Sequence, residues 1–146
     1  NFTVPLARHF PRVLATELSK VSVRDARDNL ALNDVHNAAV VRLAAEEMSS
    51  ALRGDRAFRR LEELPVPLAE YDLHTAFVDP PRAGLDPATL DSLRRFEHLL
   101  YVSCNPHTLA ENLAALQEDY RVIRFGLFDQ FPYTDHMECA VALTRR

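Results

Sequence analysis

The sequence predicts an α/β fold, a doubly wound sheet that is mostly parallel and closes with a terminal antiparallel strand. Three observations predict it. Short apolar runs of strand-forming residues alternate with helical stretches along most of the 146 residues. Those runs stop abruptly at polar or proline-containing turns, at Glu17, Asp79 and Cys104. Near the end, two strand-type runs follow one another with no helix between them, which reads as a hairpin-like pair.

Taken in order, Thr3 to Phe10 reads as a helix, because Val4, Leu6, Ala7 and Phe10 share one apolar face. Arg12 to Glu17 is a short buried strand ending in an acid. A helix opened by Ser19 or Lys20 turns Val23, Ala26, Leu30 and Ala31 inward, and Asn33-Asp34 ends it with turn chemistry. Ala38 to Leu43 is the next strand and 45–52 the next helix, broken by Gly54-Asp55. The stretch 53–71 reads as a surface loop, with clustered Arg and Glu followed by Pro65 and Pro67. His74 to Asp79 is a strand, Pro80 to Gly84 a loop, and Asp86 the cap of a helix starting at Pro87, with Leu90 and Leu93 inward. The run 99–103 is a strand that delivers Cys104. Pro106 or His107 opens a helix carrying Leu109, Leu113 and Leu116. Tyr120 to Phe128 and Met137 to Leu143 are the final strands, joined by the loop 129–135.

Bulk composition narrows the function. Hydrophobic content of 47% with 26% charged residues is that of a globular domain, and no run approaches a membrane-spanning length. The net charge of −4 argues against nucleic-acid binding by this segment alone. Two cysteines make no disulfide framework and fit a reducing, cytoplasmic compartment. The first residues, Asn1-Phe2, run straight into a helix, as in a piece of a longer protein.

Four positions carry chemistry. Cys104 ends a buried strand just before a helix, where helix amides favour a thiolate, and ligands of open α/β sheets bind beyond such strand ends. It reads as a nucleophile; Cys139, inside the last strand, reads as core. Asp79, held by Pro80 and Pro81, is a preorganised carboxylate beside a rigid loop. Glu17, ending the first strand of a βαβ arrangement, sits where nucleoside-binding sheets place an acid for ribose hydroxyls. In the last loop Glu138 and His136 are rival bases. Only three glycines occur, Gly54, Gly84 and Gly126, so no glycine-rich cofactor loop is present. A cysteine hydrolase using Cys104 with His107 or His136 competes with these readings, as does a non-catalytic RNA-binding module.

The motifs Asp79-Pro80-Pro81-Arg82-x-Gly84-Leu85, Ser103-Cys104-Asn105-Pro106 and His136-Met137-Glu138-Cys139 occur together and in that order. With Ala15-Thr16-Glu17 and Asp129-Gln130-Phe131-Pro132-Tyr133-Thr134, the set resembles the signature blocks of the S-adenosylmethionine-dependent RNA 5-methyluridine methyltransferases over essentially the whole chain. The wording of the last loop is most similar to the bacterial tRNA (uracil-5-)-methyltransferase branch. The ribosomal-RNA paralogues carry a Met-Phe-Pro-His version of it.

The resemblance implies a Rossmann-like methyltransferase sheet of which residues 1–146 are the C-terminal part of the catalytic domain, lacking the first strand. It implies Cys104 as nucleophile, Glu138 as base, and Glu17, Asp79 and Asn1 as contacts to S-adenosylmethionine. The implied substrate is the T-loop of tRNA, bound largely by a region before Asn1, so this segment alone is expected to be inactive. The implied chemistry explains the residue types. A thiolate added to carbon 6 of uracil makes carbon 5 electron-rich enough to accept a methyl group, and a carboxylate then removes the carbon 5 proton. No metal is required, and the base must leave its stack.

Overall fold

The computed structural model describes residues 2–134 and 136–146. They divide into two units, Asn1–Asp72 and Leu73–Arg146, each described by itself.

In the first unit, helix α1 covers Thr3–Ala7, shorter than the apolar spacing predicts. Pro11 is the reason: the residue before a proline is pushed out of the helical region. The amides of Arg8 and His9 therefore close the helix on Pro5 and Leu6 carbonyls (3.1 and 2.9 Å). Strands β1 (Val13–Glu17) and β2 (Ala38–Arg42) pair in parallel from Val13↔Ala38 to Glu17↔Arg42. A parallel pair needs a crossover, supplied by helix α2 (Lys20–Leu32). Ser19 caps it, its side chain accepting from the Ser22 amide at 3.3 Å. Val23 and Leu30 of α2 pack on Val40, with Ala15, Ala26 and Ala38 around them. Ala31 is exposed instead of inward, since one step past Leu30 rotates it about 100° off the core face. Asp34 takes a left-handed turn conformation (φ 56°) that sends the chain into β2. Helix α3 (Ala45–Arg53) ends at Gly54, whose φ of 78° is the left-handed cap that glycine favours. The charged stretch after it forms two 3-10 turns, Arg59–Glu63 and Leu68–Glu70.

The second unit is a four-stranded sheet. Strands β3 (Thr75–Val78) and β4 (His98–Ser103) run parallel. Strand β6 (Glu138–Arg145) lies antiparallel between β4 and β5 (Tyr120–Phe128), so the spatial order is β3-β4-β6-β5. This matches the mostly parallel sheet with a terminal antiparallel strand. Helices α4 (Pro87–Leu93) and α5 (Pro106–Leu116) start at prolines behind the caps Asp86 and Asn105. Alternation along β4 and β6 buries Leu99, Tyr101 and Ser103 beside Leu143, Val141 and Cys139, while the intervening residues form a more open face. Cys139 is core, as its position predicts. Among the described residues no helix is long and apolar enough to cross a membrane.

Candidate active site

The site is built at one edge of the four-stranded sheet. The parallel strands β3 and β4 deliver the residues that follow them, Asp79 and Cys104, to the edge where β6 begins with Glu138. In β4 and β6 the paired positions run from His98↔Thr144 to Ser103↔Cys139. Cys104 follows Ser103 and Glu138 precedes Cys139, so the two flank the last pair of the ladder. Glu138 shares the more open face with Ala140, whereas Ser103 and Cys139 are buried on the other. A partly exposed thiol and a carboxylate thus lie at the same end of adjacent strands.

The corner that carries Cys104 is fixed by its neighbours. The buried Ser103 hydroxyl accepts from the Asn105 amide (3.1 Å), and the Asn105 carboxamide oxygen accepts from the His107 amide (3.1 Å), capping α5. Asn105 Nδ2 and Thr108 Oγ1 both donate to the Arg82 carbonyl, at 3.0 and 3.2 Å. These bonds tie the cysteine corner to the proline loop that follows Asp79. Cys104 is partly exposed; Cys139 is 1% exposed, and burial, reinforced by the charge of Glu138, pushes its thiol pKa up.

The proline loop has its own anchor, which sequence reasoning missed. Asn112 is buried on α5; its Oδ1 accepts from the Leu85 amide (2.9 Å) and from the Tyr101 hydroxyl (2.7 Å). Its Nδ2 donates to the Leu85 carbonyl at 3.2 Å. Gly84 takes φ 76° directly against it: a Cβ there would lie 2.8 Å from Asn112 Oδ1. The signal was available, since Asn112 stands on the same helical stripe as Leu109 and Leu116, where only a partnered polar residue is tolerated. Burial holds the Tyr101 hydroxyl neutral, its pKa pushed up to about 12.

The structure brings Cys104, Glu138 and Asp79 to one sheet edge. Burial among its neighbours raises the Asp79 carboxyl above the usual range, although the side chain keeps an exposed side. Glu17 lies in the first unit, ending β1, and its Oε1 accepts from the Ser19 amide at 2.7 Å. Asn1 lies outside the described residues. His107 is exposed on α5, and the His136 ring sits edge-on to Phe131 (centroids 6.1 Å apart). Among the described residues no cluster of three His, Cys, Asp or Glu side chains is placed to hold a metal ion.

Comparison with known proteins identifies the family. The tRNA (Uracil-5-)-methyltransferase family model matches residues 1–146. The chain is 58% identical to a tRNA/tmRNA (uracil-C(5))-methyltransferase of Pseudomonas entomophila, covering 100% of this chain and 40% of that protein. It is 53% identical to the protein of the same name from Erwinia tasmaniensis, covering 100% of this chain and 39% of that one. The chain thus spans about two-fifths of the length of these curated relatives. A Pyrococcus abyssi tRNA (uracil-54, C5)-methyltransferase, solved with S-adenosyl-L-homocysteine, superposes with a TM-score of 0.74 at 30% identity, over 98% of this chain and 31% of that one. With a family match along its whole length behind the sheet-edge geometry, the chain belongs to the tRNA (uracil-5-)-methyltransferase family.

Proposed function

We propose that this chain is the C-terminal part of the catalytic domain of an enzyme that methylates carbon 5 of a uridine in the T-loop of tRNA, with S-adenosylmethionine as donor. The observation that carries the reading is that Cys104 and Glu138 flank the last ladder pair, Ser103↔Cys139, at one end of adjacent strands. It is supported by the names of the curated relatives and by the S-adenosyl-L-homocysteine complex of the archaeal neighbour.

In this reading the Cys104 thiolate adds to carbon 6 of the uracil. The sulfur–carbon bond forms while the ring π electrons move onto the carbon 4 oxygen as an enolate. When bound, S-adenosylmethionine would supply an electrophilic methyl group to carbon 5 and its enolate pair, the broken carbon–sulfur bond leaving its electrons on sulfur as the neutral thioether S-adenosyl-L-homocysteine. The Glu138 carboxylate then takes the carbon 5 proton. The freed pair restores the carbon 5–carbon 6 double bond and expels the cysteine as thiolate. Glu17 and Asp79 hold the donor through its hydroxyl and ammonium groups, and Asn1 continues that donor site. The protein acts in the cytoplasm, and the region of the longer protein outside residues 1–146 makes most of the RNA contacts. The base reaches Cys104 only unstacked from its neighbours.

RNA carrying 5-fluorouracil tests this, because fluorine cannot leave as a proton. The intact protein is expected to form a covalent RNA adduct that depends on the methyl donor. Absence of an adduct from the wild type, or its persistence in Cys104→Ala, would refute the mechanism.

A further inference from the structure

The sheet end that carries Glu138 continues from β6 to β5. There the partner of Glu138 is Phe128, so Glu138 and Phe128 lie side by side on one face, at the end of the sheet where β4 delivers Cys104. The Phe128 ring leans back along its own strand over Gly126: a Cβ on that glycine would meet ring carbons at 2.9 and 3.0 Å. The glycine therefore keeps a seat open for the ring, which remains 49% exposed. Just beyond, the chain turns toward β6 and raises Tyr133, fully exposed and in a left-handed conformation (φ 67°). A tyrosine in that region is strained, and its ring gains no burial in return. The turn is held by Thr134, whose amide and hydroxyl donate to the Phe131 carbonyl at 3.2 and 2.7 Å.

We propose that Phe128 and Tyr133 are stacking contacts for RNA bases that neighbour the target uridine; this rests on the function proposed above. At about 5 Å per strand, Phe128 on β5 stands about 10 Å from the line of β4, whose end carries Cys104. That is past the far edge of a pyrimidine bonded to the thiol, so the base it meets is a neighbour of the target. Pulling one base out of a loop leaves its neighbours unstacked, and recognition of unpaired RNA relies on aromatic side chains that replace the lost stacking. Val122, Phe125 and Leu127 lie on the opposite face of β5 and are left outside the contact.

The test measures binding of a fluorescent stem–loop RNA containing the target uridine to the intact protein. Phe128→Leu and Tyr133→Ala are each expected to weaken binding about tenfold. Phe128→Tyr and Tyr133→Phe should keep wild-type affinity, and methyl-donor binding should be unchanged throughout. Gly126→Ala should weaken RNA binding as Phe128→Leu does without lowering thermal stability, and combining the two should add no further loss. Wild-type affinity in Phe128→Leu and Tyr133→Ala, or equal losses in the aromatic replacements, would overturn the proposal. A wild type that forms no adduct with 5-fluorouracil RNA overturns the function itself, and the stacking role with it. An adduct-forming wild type whose leucine and alanine variants bind RNA normally overturns only the stacking role.

Discussion

Cys104 and Glu138 flank the last ladder pair of β4 and β6, the one following Ser103 and the other preceding Cys139. In the function proposed above they act in turn, as nucleophile and then as base, which separates their tasks in time. Glu138→Gln removes the proton acceptor and leaves the thiol. Ordinary uridine RNA should then accumulate as a methylated covalent adduct, with turnover lowered by at least about a hundredfold. Denaturing gels of protein–RNA complexes check this, and undiminished turnover would take Glu138 out of the role of base.

The two cysteines should differ sharply in reactivity. Cys104 is accessible at a strand end, whereas Cys139 is buried and its thiol is held protonated by its surroundings. Brief treatment with iodoacetamide near pH 8 should label Cys104 and spare Cys139, and Cys104→Ser should abolish labelling. Peptide mass spectrometry reads out the site, and modification of Cys139 at a comparable rate would contradict the packing described.

Asp79 predicts a pH dependence. Burial raises its folded pKa above the unfolded value, so the neutral form is the favoured one in the native state. The sign follows: native stability from this group is complete below the unfolded pKa and is lost as pH rises through the folded one. If Asp79 holds the donor as proposed, donor binding uses the carboxylate and has the opposite slope. Affinity for S-adenosylmethionine should then fall on acidification at a higher pH than an ordinary aspartate would give. Calorimetric titration of the intact protein checks this, and Asp79→Asn should bind weakly with the slope gone.

The Asn112 anchor predicts coupled stability effects. Asn112→Ala strips the Leu85 peptide and the Tyr101 hydroxyl of their partner and should cost about 2–3 kcal/mol. Gly84→Ala is destabilising by about 1 kcal/mol or more, through its positive φ and the clash with Asn112. Because the clash needs the carboxamide, the double variant should lose less than the two single losses together. Urea unfolding curves of the four proteins test it, and strict additivity would count against direct contact.

Much of this was legible because local chemistry and tertiary need coincide. Asp86-Pro87 and Asn105-Pro106 announce helix starts by a cap followed by a fixed φ, and both helices begin there. Cys104 and Asp79 were readable as strand ends because apolar runs stop at them. That Cys104 and Glu138 flank one ladder pair does not follow from spacing, since the register of β4 on β6 is set by cross-strand packing between distant segments. Ala31 and the end of α1 went astray where one residue's rotation, or one following proline, outweighed apolar periodicity. Asn112 is hidden among leucines on its stripe, because its partners, the Leu85 peptide and the Tyr101 hydroxyl, come from distant segments.

The position of β6 has a consequence for how the protein is made. β4 and β5 are neighbours in the chain but not in the sheet; β6, synthesised after both, must slot between them. Until it arrives, each presents an open edge of the kind that invites association with other chains. The residue that leads this closing strand is Glu138. In the function proposed above, Cys104 therefore gains its base in the same event that seals the sheet, and a nascent chain holds no competent site while its edges are still bare.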